Sequence, residues 1–154
     1  YRSHTSSPES HCDLGQRSLR RLIMSYSNPL DYVYQDALVT DFGAGTGTAW
    51  SFKGPKGKKG SLKNIGVHAT ETFECDQTAA AVKIGTSSDD DYYGKLNIAE
   101  ATAATDTFNI QDDSDCIIIE ALPADTQIEV TYVQSVDAGT AAGKGNAYVE
   151  VEWY

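Results

Sequence analysis

The stretch AYVEVEWY, residues 147–154, decides the fold that we expect for this chain. Ala147, Val149, Val151 and Trp153 occupy every second position, and polar or amphipathic residues stand between them. Because successive side chains of a β-strand point to opposite faces, this alternation predicts a strand with one face in the core. A shift of one residue would expose the whole apolar set, so the pattern also specifies the register of the strand.

The same period of two recurs through the chain, between short segments rich in Gly, Pro, Asp and Ser. It indicates about eight strands connected by turns, which is typical of a single all-β domain built as an antiparallel β-sandwich or a jelly roll. The predicted strands are Thr48–Phe52, Leu62–Phe73, Ala80–Gly85, Tyr92–Ile98, Thr105–Ile110, Cys116–Ala121, Gln127–Val133 and Ala147–Tyr154.

Several local features complete the expected fold. Trp50 and Trp153 are predicted to be the large aromatic residues of the core. Gly66, inside a strand pattern, indicates a β-bulge, and the glycine-rich segment Asp137–Asn146 is predicted to be a link between strands. The segment Leu30–Ala37 could start as a short helix or run extended, and we prefer the extended form.

Length and charge limit the classes of function. The chain has 154 residues and a formal net charge of −10, which favours one acidic domain. Such a charge repels phosphates and argues against general binding of nucleic acid. No apolar run approaches the roughly 20 residues that a membrane-spanning helix needs, so we expect no membrane partner.

Residues 1–23 differ in composition from the rest of the chain. They contain all four arginines and no lysine, whereas residues 24–154 contain eight lysines and no arginine. Arg20 and Arg21 can be encoded by a purine-rich run close before Met24, which resembles a bacterial ribosome-binding site. We therefore expect residues 1–23 to be a translated leader. The alternative is a genuine extended basic arm in front of a β domain formed by residues 24–154.

The strongest positive feature of the chain is a glycine-rich turn between Lys53 and Lys63. Five of the eight lysines lie within these eleven residues, whereas residues 64–154 contain 17 acidic residues and three lysines. A molecule polarised in this way is suited to dock one end on an oppositely charged partner. The alternative is a solvated loop without a partner. The predicted partner-binding residues are Lys53, Lys56, Lys58, Lys59 and Lys63.

The sequence offers little for catalysis, and we expect no enzyme activity. His68 is the only histidine after Met24, and the alternation of its strand predicts that it points away from the core. The loop Gly43–Gly47 lacks the spacing of a dinucleotide-binding motif, so we interpret it as a turn. We expect no catalytic residue and no cofactor.

Two acidic clusters raise the question of a calcium site. The clusters Asp89–Asp91 and Asp112–Asp115 offer the oxygen ligands that hard cations prefer, but neither has the spacing of an EF-hand loop. Because Asp and Ser also favour turns, we interpret both clusters as turns and expect no bound metal.

The three cysteines form neither a disulfide framework nor a zinc motif. Cys75 and Cys116 could pair in an oxidising compartment. The alternative is that both stay reduced and partly buried, and we favour that alternative. Cys12 lies in the divergent N-terminal segment.

Several segments carry a resemblance to a known class of protein. Ser51–Leu62 reads SFKGPKGKKGSL, and Ile65–Val67, Lys83–Thr86, Pro123–Val130 and the ending Trp153-Tyr154 belong to the same pattern. Together they resemble small structural proteins of tailed bacteriophages, of the head decoration or cement type. The resemblance covers most of residues 50–154 and none of residues 1–23.

The resemblance implies a viral structural protein that is not an enzyme. Such a protein is made in the host cytoplasm and binds the capsid surface of the virion, often as a homo-oligomer, with the major capsid protein or neighbouring copies of itself as partners. It would stabilise the assembled head because it binds the intact shell better than the separated subunits.

Two other functions compete with capsid decoration. One is a different structural role in a virion or filament, as a tail, head-fibre or extracellular filament subunit. The other is a β-sandwich module that binds carbohydrate or a host surface. An exposed aromatic platform in a groove would favour that module, and a flat charged base would favour decoration.

Overall fold

The computed structural model describes residues 30–44, 50–100, 102–113, 116–137 and 140–154. The predicted boundary between residues 1–23 and 24–154 lies outside the described residues, as does the start of the strand predicted at Thr48–Phe52. Within the described ranges the chain is all-β and contains no helix, so none is available that could cross a membrane.

Ten strands are present in the described residues, most of them close to predicted positions. The segment that we expected to be extended at Leu30–Ala37 forms the first of them. In chain order the strands are β1 Leu30–Gln35, β2 Thr40–Asp41, β3 Trp50–Lys53, β4 Gly60–Glu74, β5 Ala81–Gly85, β6 Gly94–Asn97, β7 Thr107–Asn109, β8 Ala121–Leu122, β9 Gln127–Val133 and β10 Ala142–Trp153.

The strands form two antiparallel sheets. In the first sheet the order is β1-β10-β4-β7, with β2 added to β10 and β8 added to β4. In the second sheet the order is β3-β9-β5-β6. The predicted all-β, antiparallel class is therefore confirmed.

One apolar core is shared by the two sheets. It follows from the period of two: in β9 the residues Ile128, Val130 and Tyr132 are buried, and the residues between them are not. In β10 the predicted set Ala147, Val149, Val151 and Trp153 is buried to the same degree. The largest fully buried side chains are Trp153, Phe42, Phe73, Leu62, Ile65, Ile84, Leu96, Ile98, Leu122, Ile128, Val67 and Val82.

Two predictions about strand positions are wrong. The segment Cys116–Ala121 is not a continuous strand, because only a single bridge from Ile117 to Gly94 and the short β8 form there. The predicted link Asp137–Asn146 is also too long, since β10 already begins at Ala142. The start of β10 contains glycines, which interrupt the alternating pattern of the sequence. Gly143 is required there because an added Cβ would meet the ring of Phe73.

The predicted bulge at Gly66 is wrong as well. Gly66 pairs in regular register with Tyr148, and the nearby register shift falls at Lys63, which is the additional residue between Asn64 and Leu62. Gly66 has a different purpose, because a Cβ there would collide with the ring of Tyr148. The missing side chain lets Tyr148 lie flat on the outer face of the first sheet, where it is only 6% exposed.

Trp153 closes the end of the core, whereas Trp50 lies at its edge. The indole of Trp153 is 2% exposed, and its Nε1–H donates to the hydroxyl of Tyr34 at 3.1 Å. Trp50 is only partly buried, and its Nε1–H donates to the hydroxyl of Tyr132 at 2.7 Å. The prediction of a buried core residue is thus confirmed for Trp153 and too strong for Trp50.

We predict that Trp153→Ala lowers the free energy of unfolding by about 3–5 kcal/mol, because it leaves a large cavity between the sheets. Chemical denaturation followed by circular dichroism measures the change. The control is Tyr154→Ala, since Tyr154 is 57% exposed and its loss should change stability by no more than about 0.5 kcal/mol. Equal stability of the wild-type and Trp153→Ala proteins would contradict the buried position.

We also predict that Gly66→Ala destabilises the fold by about 1–3 kcal/mol, since the new methyl group overlaps the Tyr148 ring. The same substitution in a Tyr148→Ala background should cost little, because the ring is gone. A double-mutant cycle measures this coupling. Additive effects of the two substitutions would show that Gly66 is not needed to seat Tyr148.

Candidate partner-binding surface

The lysine turn, residues Gly54–Gly60, is held in one conformation by local hydrogen bonds. The N–H of Lys58 donates to the carbonyl of Pro55 at 3.0 Å, and Gly57 has a φ of 73°. That backbone angle is the one that a type II turn requires of its third residue, where glycine is preferred. The N–H of Gly57 also donates to the carboxylate of Asp125, at 3.1 and 3.2 Å.

The C-terminal strand supports both ends of the lysine turn. Lys59 and Tyr154 exchange two backbone hydrogen bonds, of 3.1 and 2.9 Å. Gly54 and Gly60 both lie against the indole of Trp153, so close that a Cβ at either would overlap the ring. The turn is therefore a fixed extension of the core, and its lysines project from a rigid base.

The structure divides the five predicted lysines into two groups. Lys53, Lys56, Lys58 and Lys59 are exposed and form no salt bridge with any described residue. They remain together at one end of the molecule, in β3 and the lysine turn. Their charges are available to an external partner.

Lys63 forms its ion pairs within the chain. The bulge directs its ammonium group to Glu120 at 3.0 Å and Glu152 at 3.1 Å. Hydrogen bonds to Glu120 and then Glu152 raise the pKa of Lys63. A hydrogen bond donated by the Ser61 hydroxyl, followed by one from Lys63, lowers the pKa of Glu120. Lys63 therefore differs from the other four lysines, because its charge is already paired within the chain.

A groove beside the lysine turn gathers residues that the sequence analysis did not combine. We call it the tyrosine groove, and its volume is about 360 Å³. Tyr92 and Tyr154 are 47% and 57% exposed at its rim, and Tyr93 beneath is buried. Tyr92 and Tyr93 meet edge to face with centroids 5.0 Å apart. The lining residues are Lys59, Tyr92, Tyr93, Ile119, Ala121, Leu122, Pro123 and Tyr154.

No local pattern could have revealed the tyrosine groove. Tyr92 and Tyr154 lie 62 positions apart in the sequence, and an amphipathic aromatic residue taken singly suits an interface, sugar stacking or ordinary packing equally well. Their meeting with Lys59 depends on the pairing of the C-terminal strand with the start of β4. That is a tertiary contact across most of the chain.

A second groove, of about 400 Å³, lies along the edge strand β1. Tyr32 and Val33 line it together with Glu150 of β10 and the already paired Lys63. Tyr32 is 41% exposed and Val33 64%. Its charged lining residues are Lys63, which is already ion-paired, and Glu150, so this groove lacks the uncommitted positive charge of the lysine turn.

His68 lies on the outer face of the first sheet, as its strand pattern predicts. Its ring stacks on Tyr148 with centroids 4.6 Å apart, and Nδ1 is 2.8 Å from the hydroxyl oxygen of Thr107. Cys75 and Cys116 are buried, whereas His68 is exposed. These contacts of His68 are typical of a surface histidine that packs on a neighbouring side chain.

The acidic clusters make local interactions. The carboxylates of Asp89, Asp90 and Asp91 lie within 4.8 Å of one another. The ammonium group of Lys83 already approaches Asp90 at 3.0 Å and Asp91 at 3.6 Å, and it supplies an internal counter-charge. In the second cluster, Asp112 accepts a hydrogen bond from the N–H of Asn109 at 2.9 Å, which is typical of a turn.

Comparison with known proteins adds no assignment. The sequence matches no model of a known protein family, and it matches no curated protein.

The thiols of Cys75 and Cys116 are both free and buried. Burial raises the pKa of both, and for Cys116 the pKa reaches about 11. The thiolate, not the thiol, is the nucleophile, so neither thiol should react readily at neutral pH. Because the folded-state pKa of Cys116 exceeds its usual value of 9.0, its contribution to stability is complete below pH 9 and is lost as pH rises through about 11.

We predict that a Cys12→Ser protein reacts negligibly with a maleimide reagent at neutral pH when folded, and at both remaining cysteines in denaturant. Mass spectrometry counts the labels. Rapid labelling of the folded protein would contradict the burial of the thiols. Absence of labelling in denaturant, reversed by a reductant, would show instead that Cys75 and Cys116 are paired.

Proposed function

We propose that the described domain is a β-sandwich of the jelly-roll type. The order of the strands supports this: β1 and β2 lie along the same side of β10, and β7 and β8 lie along the same side of β4. When each of these pairs is counted as one interrupted strand, both sheets have four antiparallel strands. Jelly rolls of eight strands are common in viral capsid proteins and in lectins.

We propose further that the protein is a capsid decoration or cement protein of a tailed bacteriophage. The carrying observation is the lysine turn, a rigid and exposed group of positive charges on an otherwise acidic chain. The resemblance of Ser51–Leu62 and Pro123–Val130 to such proteins supports the same proposal. The partners are then the major capsid protein or neighbouring copies in a homo-oligomer, the location is the virion surface, and the protein is no enzyme.

The physical mechanism is binding linked to stability. A protein that binds the assembled shell, and not its separated subunits, stabilises the shell by mass action. The unpaired lysines accelerate the encounter with an acidic surface, and the acidic body limits adhesion elsewhere. Many equivalent sites on a lattice, or several copies in one oligomer, then add avidity without any new contact.

The second candidate function is a module that binds carbohydrate or a host surface. The specific observation in its favour is the tyrosine groove, since exposed aromatic rings in a groove can stack on sugar rings. Its weakness is the lining of the groove, whose polar side-chain groups are the tyrosine hydroxyls and the ammonium group of Lys59. The groove thus offers few polar groups that could fix the orientation of a sugar and distinguish its hydroxyls.

We predict that the triple substitution of Lys56, Lys58 and Lys59 by Ser slows association with empty heads of the encoding virus by about tenfold at low salt. It should also flatten the dependence of the rate on ionic strength, and it should leave the melting temperature unchanged. Surface plasmon resonance on immobilised heads measures the rate.

The matched control replaces the same three lysines with Arg, which keeps the charge and should retain the wild-type rate. Salt-independent binding of the wild-type protein, or equal rates for the Ser variant, would remove the lysine turn from the contact surface. Absence of any binding to heads by the wild-type protein would contradict capsid decoration itself.

A further inference from the structure

Lys59 joins the lysine turn to the tyrosine groove. It is the last lysine of the turn, and it also lines the groove together with Tyr154, to which its backbone is hydrogen-bonded at both N–H and C=O. The surface therefore has an apolar, aromatic part and a positively charged part that are continuous. A ligand that binds the aromatic part can therefore also contact the positively charged part.

The acidic and the basic side chains around this surface differ in whether they already have a partner within the chain. Three acidic residues near it in sequence already have partners: Asp90 approaches Lys83, Glu120 accepts from Ser61 and Lys63, and Asp125 accepts from Gly57. The lysines of the turn have no such partner among the described residues. Charge complementarity thus calls for an acidic ligand at the end of the groove marked by Lys59.

The walls of the groove are formed before any ligand binds. The N–H of Tyr93 donates to the carbonyl of Ile84 at 2.9 Å, and the carbonyl of Tyr93 accepts from Ile118 and Ile119 at 2.9 and 3.0 Å. The opposite wall, at Tyr154, is held by Lys59. A ligand therefore pays little for ordering the protein, which favours recognition of a short segment.

We infer that the tyrosine groove and lysine turn together bind an extended acidic polypeptide segment that carries one aromatic or large aliphatic side chain. The apolar side chain would lie between Tyr92 and Tyr154, above Ile119 and Leu122, where the lining is apolar. The acidic residues would follow along the turn, within reach of the flexible lysines. The inference rests on the proposed function to the extent that the segment belongs to the capsid lattice.

A library of short random peptides displayed on yeast tests the inference without capsids. The purified protein should enrich peptides that combine Asp or Glu with Trp, Phe or Leu. The most enriched peptide, synthesised with a fluorescent label, should bind in an anisotropy titration. Replacing Tyr92 and Tyr154 together by Ala should weaken its binding by at least about tenfold, as is usual for the loss of central aromatic contacts.

Two comparisons make the test specific. Tyr32→Ala alters an exposed tyrosine that lines the other groove, and it should leave the affinity unchanged. The lysine-to-serine triple variant should weaken binding at low salt and reduce its salt dependence, whereas the arginine variant should not. Unchanged melting temperatures of all variants exclude an effect of unfolding.

Several results would overturn the inference. They are enrichment of basic or neutral peptides, absence of enrichment, or a selected acidic peptide whose affinity ignores the tyrosine substitutions. Absence of any enriched peptide, together with direct binding of polygalacturonate that is lost when Tyr92 and Tyr154 are replaced, would assign the groove to acidic glycans instead. If acidic peptides bind but capsids do not, only the proposed function is contradicted. If the protein binds capsids but no acidic peptide, only the inferred peptide groove is contradicted.

Discussion

The pairing of β4 with β10 is the constraint on which the rest of the structure depends. These two long strands lie at the centre of the first sheet, and every other strand of that sheet attaches to one of them. At the end of the pair, Trp153 stands opposite Gly60, and its indole excludes a side chain at both Gly60 and Gly54. The same contact holds the lysine turn, so the most polar feature of the molecule rests on its largest buried residue.

The lysines illustrate how one residue type takes two roles. Lys63, Lys83 and Lys144 each approach two carboxylates, and their ion pairs connect strands and turns on the surface. Exposed pairs of this kind contribute little to stability, typically about 0–1 kcal/mol each. The lysines of the turn form no ion pair with any described carboxylate. Their positive charge can therefore act on other molecules.

The candidate surface combines two features that favour different kinds of partner. A fixed positive turn fits docking on an acidic lattice, whereas a groove with exposed tyrosines fits recognition of a ring or an apolar side chain. Lys59 belongs to both, so the two features form one surface. A peptide segment satisfies both parts at once, since it can supply carboxylates and an apolar anchor from neighbouring positions. A flat charged base alone would not need the groove.

The sequence by itself determined the all-β class, the apolar face of β10, the outward position of His68 and the exposed turn of lysines. These follow from alternation and turn chemistry, which act between residues close in the chain. Tertiary structure alone decided that Gly66 makes room for the ring of Tyr148. It alone decided that Lys63, unlike the other four lysines, forms ion pairs with Glu120 and Glu152. It also decided that β10 begins among glycines. It also decided that Tyr92, Tyr154 and Lys59 share a groove. Each of these depends on which strand lies beside which, and the physical reason is that contacts between residues far apart in the chain leave no period in the local sequence.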